Sequence, residues 1–142
     1  MISSYMSDDH QRCDALFAEA EQRVSENRWD EAASAFETMR DAIEHHFRME
    51  EAVFFPRFEE ASGMTMGPTQ VMRHEHEQMR GLFEAMAEAL ANRDADAYLG
   101  DSETLLVLMQ QHNAKEEQIL YPMLDAHLQG QAEQLIEEAK AV

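Results

Sequence analysis

The chain has seven histidines, and two of them, His46 and His112, are each followed four residues later by a glutamate, Glu50 and Glu116. On a helix that interval places imidazole and carboxylate on one face, a turn apart. Two further histidines, His10 and His76, complete a set of six candidate metal ligands. Nitrogen and oxygen donors together suit iron, manganese or zinc, whereas calcium and magnesium favour all-oxygen sites. Two divalent ions sharing the set would take two histidines each, with Glu50 and Glu116 bridging. Open positions would remain for water, an oxo bridge or a small molecule, and open positions are where metal chemistry takes place.

For any one histidine, a hydrogen-bonded place in the core is the ordinary explanation. The register of the set argues otherwise. His46 and His112 are 66 residues apart, and so are Glu50 and Glu116, His10 and His76, Phe17 and Phe83, and Pro56 and Pro122. Each half is therefore a helical hairpin with one histidine on its first arm and His-x-x-x-Glu on its second. Within each half the two histidines are 36 residues apart, and the turns expected near Arg28 and Asp94 fall at the midpoints. Equal arms bring both histidines to one level, roughly 27 Å from the turn at about 1.5 Å per residue.

The elements that must position these residues are helices. Ala, Glu, Met, Gln and Leu dominate, with only five Gly and three Pro to interrupt them, and no segment alternates apolar with polar over the length of a strand. The breakers delimit helices over residues 7–25, 30–61 and 69–92, a fourth capped by Asp94 or Asp96 and ended by Gly130, and a helical tail within residues 131–142. Apolar residues recur in steps of three and four, the period of a packed seam. The seams run through Met6, Cys13, Phe17, Ala20 and Val24, then Ala32, Phe36, Met39, Ile43 and Val53. In the second half they run through Met72, Met79, Phe83, Met86 and Leu90, then Tyr98, Ser102, Leu105, Met109, Ile119 and Met123. The six candidate ligands fall on the same seams, where an unpartnered carboxylate costs several kcal/mol unless it is protonated or neutralised. The expected fold is all-α, an antiparallel up-down four-helix bundle with a short C-terminal helical tail, forming one domain over residues 1–142.

A formal charge of -18, from 29 acidic against 11 basic residues, repels phosphate backbones and anionic headgroups, so neither nucleic acid nor a membrane surface is an expected partner. No segment carries the long uncharged apolar run of a spanning helix, and residues 1–9 lack the basic and apolar regions of a signal peptide. The expected location is cytoplasmic, in keeping with a lone Cys13 that has no intrachain disulfide partner.

Taken in order, His10, His46-Phe47-Arg48-Met49-Glu50-Glu51, His76 and His112-Asn113-Ala114-Lys115-Glu116-Glu117 resemble the hemerythrin-like, HHE cation-binding family over roughly residues 8–128. The resemblance implies a non-haem di-iron centre: two iron ions with an oxo or hydroxo bridge, spanned by Glu50 and Glu116, that bind or sense O2, NO or peroxide. Zinc or manganese fits the same donors. One position departs from the oxygen carriers, which have His-x-x-x-His on the third helix where this chain has Met72-x-x-x-His76. Two histidines per metal look more like the branch associated with iron-sulfur centre repair and with iron or oxygen sensing. Iron delivery in support of such repair and a peroxide-consuming di-iron enzyme are therefore the alternatives, and the residues do not decide between binding protein and enzyme.

Several other residues take structural readings. His45 is about 100° around the helix from His46 and His74 about 200° from His76, so both are expected at the surface. His74 could join as a fifth nitrogen ligand only if its helix is distorted. His127 is expected to complement a helix C-terminus. Glu51 and Glu117 are candidate acceptors for histidine N–H groups, although exposure is the commoner outcome, and Glu117 competes weakly with Glu116 as a ligand. Cys13 and the methionines read as core filling. Phe54, Phe55, Phe58 and Tyr121 are expected to pack around the site, and Trp29 to anchor the first turn.

Overall fold

Met6, His10, Cys13, Phe17, Ala20 and Val24, the seam expected of the first helix, are all buried along α1 (Ile2–Ser25) in a computed structural model that describes residues 1–142. The helix begins at Ile2 rather than near residue 7, because Ile2 is itself fully buried and Ser3 is bonded to Asp125 near the end of the fourth helix. The remaining helices are α2 (residues 29–62), α3 (Pro68–Ala91), α4 (residues 95–127) and α5 (Ala132–Lys140), and there are no strands. Asn27 and Arg93 take left-handed backbone, φ 58° and 50°, in the turns that close the two hairpins. They too are 66 residues apart, so the repeat extends into the turns. Of the two acids offered as caps for α4, Asp94 is the one used: its side chain accepts from the Ala97 N–H at 3.1 Å.

Helices α1 and α2 pair as one antiparallel hairpin and α3 and α4 as the other, and contacts of α1 with α4 and of α2 with α3 close the bundle. Neither α2 nor α4 is a continuous α-helix, as their sequences suggested. Each widens to a π turn, Glu50–Phe54 and Glu116–Leu120, in which the N–H of Phe55 bonds to the Glu50 carbonyl and that of Tyr121 to the Glu116 carbonyl. Pro56 and Pro122 come next. A proline ring has no N–H to give and crowds the carbonyl four residues earlier, and the wide turn gives it room. The extra residue moves the buried face one position along the chain. In α4 the seam passes to Leu120, Tyr121 and Leu124, while Ile119, expected inside, is 56% exposed.

Two apolar clusters flank the level of the histidines. One, on the side of the hairpin turns, is built around Phe17, Phe36, Met39, Met79, Phe83 and Leu105, with Trp29 packed against it. The other holds Met6, Phe54, Phe55, Phe58, Met72 and Tyr121, and α5 covers it through Leu135 and Ala139. The tail thus removes from water an apolar end that the four long helices would otherwise expose.

Candidate metal centre

Four helices each deliver part of one polar cluster between these apolar layers: α1 brings His10, α2 His46 and Glu50, α3 His76, and α4 His112 and Glu116. None of the six is more than 4% exposed. Donor atoms of Glu50, His76, His112 and Glu116 lie within 4.8 Å of one another, and so do those of His10, His46 and Glu116. Glu116 therefore belongs to both groups. His10 Nε2 is 3.0 Å and His112 Nε2 3.3 Å from Glu116 Oε1, and His76 Nε2 is 3.1 Å from Glu50 Oε1. The other oxygen of Glu50 turns toward the first pair, 3.7 Å from His46 Nε2.

The outer nitrogens explain why every Nε2 faces inward. His10 Nδ1–H donates to Glu117 at 2.7 Å, His46 to Asp9 at 2.8 Å, His76 to Glu51 at 2.7 Å and His112 to Glu75 at 2.8 Å. A carboxylate on Nδ1 holds the proton there and leaves the Nε2 lone pair free for a metal. The acceptors follow the same 66-residue repeat, Asp9 with Glu75 and Glu51 with Glu117. Glu51 and Glu117 were foreseeable as acceptors. Asp9 and Glu75 were missed, although an acid immediately before His10 and again before His76 was a repeated signal. Cations back three of the four: Arg12 pairs with Asp9 at 3.0 Å, Arg80 with Glu51 at 2.9 Å, and Lys115 with Glu75. Glu117, 42% exposed, pairs only with His10.

Each charge in the cluster acts on its neighbours. Burial opposes ionisation of Glu116, yet His112, Glu50 and His10 hold its carboxyl well below the usual range. Burial likewise opposes the charged form of His46, but the Glu50 charge and the bonds to Asp9 and Glu116 raise its imidazole well above the ordinary value. His112 is pushed up to about 9, with burial again opposing and the Glu116 charge prevailing. The buried carboxylates thus demand positive charge, which either protons on the imidazoles or metal ions can supply.

A set of facing lone pairs favours metal ions. Glu50 Oε1, His76 Nε2, His112 Nε2 and Glu116 Oε2 are buried without a hydrogen-bond partner. Leaving such groups unpaired in a core is costly, and a cation among them satisfies all four at once.

At the other pair stands Tyr121. Its Oη donates to Glu50 Oε2 at 2.8 Å and lies 3.0 Å from Glu116 Oε1 and 3.2 Å from the Nε2 of both His10 and His46. Aromatic packing was all that the sequence suggested for it. In a regular α-helix Glu116 and Tyr121 would be about 140° apart, and the π turn is what brings them onto one face. Its counterpart Phe55 stacks 6.1 Å from His76, and Phe47 stacks on the same imidazole at 3.9 Å.

Beside His10 and His46, on the side away from Tyr121, lies a small cavity lined also by Cys13, Ile43, Phe47, Met79, Met109 and Asn113. Its volume is about 10 Å³, the scale of a single water-sized guest. Burial pushes the Cys13 thiol up to about 11, so it is a neutral, small lining residue. His74 is exposed and His45 half-buried, both outside the cluster, and His127 donates from Nδ1 to the Met123 carbonyl at 3.0 Å.

A family model described as hemerythrin HHE cation binding domain matches residues 1–124, a span that contains all six clustered residues. No curated protein and no solved structure matches the chain. No helix is long and apolar enough to cross a membrane.

Proposed function

The chain belongs to the hemerythrin HHE cation-binding family, and from that premise we propose that it is a two-iron protein that binds or senses O2, NO or peroxide. In this reading His10 and His46 would hold one ion and His76 and His112 the other, with Glu50 and Glu116 as carboxylate donors between the pairs. The observation that carries it is the pair of buried donor groups that share Glu116, one of Glu50, His76, His112 and Glu116 and one of His10, His46 and Glu116, the first with four donor atoms that have no hydrogen-bond partner. When bound, a pair of such ions supplies Lewis acidity and electron exchange with a small ligand.

The chain's own residues provide the rest. The four carboxylates on Nδ1 orient the imidazoles and make them better donors. Apolar layers above and below keep bulk water out of the cluster. The cavity beside His10 and His46 is no larger than a water-sized guest and lined mostly by apolar side chains, which supports a small uncharged ligand over a larger polar substrate.

The test is reconstitution of the chain with ferrous iron, assay of metal per chain, and absorption spectra before and after exposure to O2, NO and peroxide. Two irons per chain and a spectrum that responds to one of these ligands are expected. Fewer than one iron per chain would overturn the two-metal reading. Rapid loss of iron to a chelator would favour delivery, and sustained consumption of peroxide would favour an enzyme.

A further inference from the structure

One break in the 66-residue repeat adds a hydroxyl to the cluster itself: Tyr121 carries one where Phe55 has none. We propose that Tyr121 is a phenolate ligand to the ferric ion held by His10 and His46, so that the two ions of the centre have different donor sets. The proposal rests on the two-iron reading and adds a residue to it.

Position is the first argument. The phenol oxygen is 3.2 Å from His10 Nε2, 3.2 Å from His46 Nε2 and 3.0 Å from Glu116 Oε1, the three residues whose donor atoms form one of the two candidate groups. Metal bonds to such donors are about 2 Å long, so an ion among them meets the phenol oxygen as well. That oxygen must bind the ion or move away.

Moving away is unfavourable. The Tyr121 side chain is fully buried, its ring stacks on His10 with centroids 5.5 Å apart, and it is packed in the apolar cluster that α5 covers. Every polar neighbour of its hydroxyl belongs to the centre itself. A swing into the apolar layer would leave the hydroxyl without a partner.

Donor chemistry points the same way. Phenolate is an oxygen donor that ferric iron takes from proteins, as in the tyrosine-ligated haem of catalases. Glu50 lies closer to the His76 side, at 3.1 Å, than to His46, at 3.7 Å. Burial and the charges of Glu116 and Glu50 keep the phenol protonated in the metal-free chain, so it is a cation on its oxygen that would release the proton. As the Fe–O bond forms, the phenol O–H bond breaks, its electron pair stays on oxygen and its proton passes to solvent, with no change in iron oxidation state. The cavity lies on the opposite side of His10 and His46, so a phenolate at Tyr121 does not fill it.

The experiment loads the full chain with ferrous iron, oxidises it with O2 and follows iron per chain, visible absorption and resonance Raman scattering. Wild type is expected to show a phenolate-to-iron absorption band and enhanced tyrosinate ring modes. Tyr121→Phe should lose both while keeping its iron and its helical circular dichroism. The chain has three tyrosines, so the Tyr5→Phe/Tyr98→Phe double variant provides a second measurement, in which the modes should persist. Two irons per chain without tyrosinate modes in wild type, modes that survive Tyr121→Phe, or modes lost in the double variant would each overturn the ligand assignment alone. Failure of wild type to take up iron would overturn the two-iron reading and the ligand with it.

Discussion

Around His76, Phe47 stacks on the imidazole at 3.9 Å, and Arg80 ties Glu51 to Glu44 and Glu77 in one network. Around His10 the matching positions in the repeat are Asn113 and Asp14, and Met79 gives way to Cys13. Smaller side chains at Cys13 and Asn113 open the cavity on that side. In place of a clamping arginine stands Asp14, whose carboxyl is raised by burial and by the like charge of Glu117. The clustered residues repeat, but their surroundings do not: one pair, the braced side, is packed under Phe47 and has cations behind both acceptors, and the other, the loose side, borders a cavity and has no cation behind the acceptor of His10. On the two-ion reading, that difference would direct a guest to the ion of His10 and His46.

The largest expected effect is on the residue the two sides share. Glu116→Ala removes the only carboxylate common to both donor groups and should make bound metal substoichiometric, measured as ions per chain after reconstitution. Glu50→Ala should leave one ion better held than the other, because the histidines grouped with Glu50 are His76 and His112 and not His10 and His46. A Glu116→Ala protein that keeps two ions contradicts the bridging role.

Bracing comes next. Arg80→Ala frees Glu51, which then orients His76 less firmly, and loss of such an outer contact lowers metal affinity by about 10–100-fold. Glu117→Ala acts on an acceptor that is already 42% exposed and has no cation behind it, so its effect should fall below that of Arg80→Ala. Competition titrations with a chelator compare the two. Equal losses would mean that the braced and loose sides are not energetically distinct.

This contrast was partly legible in the sequence. All six clustered residues and three of the four long seams followed from spacing, because histidines and glutamates at core phase in two registered halves leave few other arrangements. The π turns did not follow. Apolar steps of three and four cannot announce a five-residue turn, so Ile119 was placed inside, and Tyr121 read as packing rather than as a hydroxyl beside Glu116. Asp9 and Glu75 were masked by composition: in a chain with 29 acidic residues, one more acid beside a histidine reads as solvated surface until the repeat is followed one residue further. The cavity depends on the sizes of Cys13 and Asn113 against their counterparts, which spacing alone does not weigh.

Filling that cavity tests the loose side directly. Cys13→Met installs the residue of the braced half and should weaken binding of the small ligand by roughly tenfold, the order that one misfitting group in an apolar pocket imposes. Iron per chain should stay unchanged, since Cys13 is in neither donor group. Met79→Cys enlarges the same cavity from another wall and should not weaken ligand binding. If Cys13→Met leaves the response to O2, NO and peroxide intact, the guest enters elsewhere.

The smallest effect is on stability and separates protons from metal at the braced pair. His112 is raised from 6.5 to about 9, with burial opposing and Glu116 prevailing. A group raised in the folded state contributes stability that is complete below its unfolded value and lost as pH rises through its folded one. The chelated protein should therefore lose a few degrees of Tm between about pH 6.5 and 9. An ion on Nε2 takes the place of that proton and binds more tightly as imidazole is deprotonated, so the iron-loaded protein should hold or gain Tm over the same window. Thermal melts of both forms across it should diverge as pH rises. Parallel curves would mean that the charge of the buried carboxylates is balanced by groups other than His112, and the braced side would owe its firmness to Phe47 and Arg80 alone.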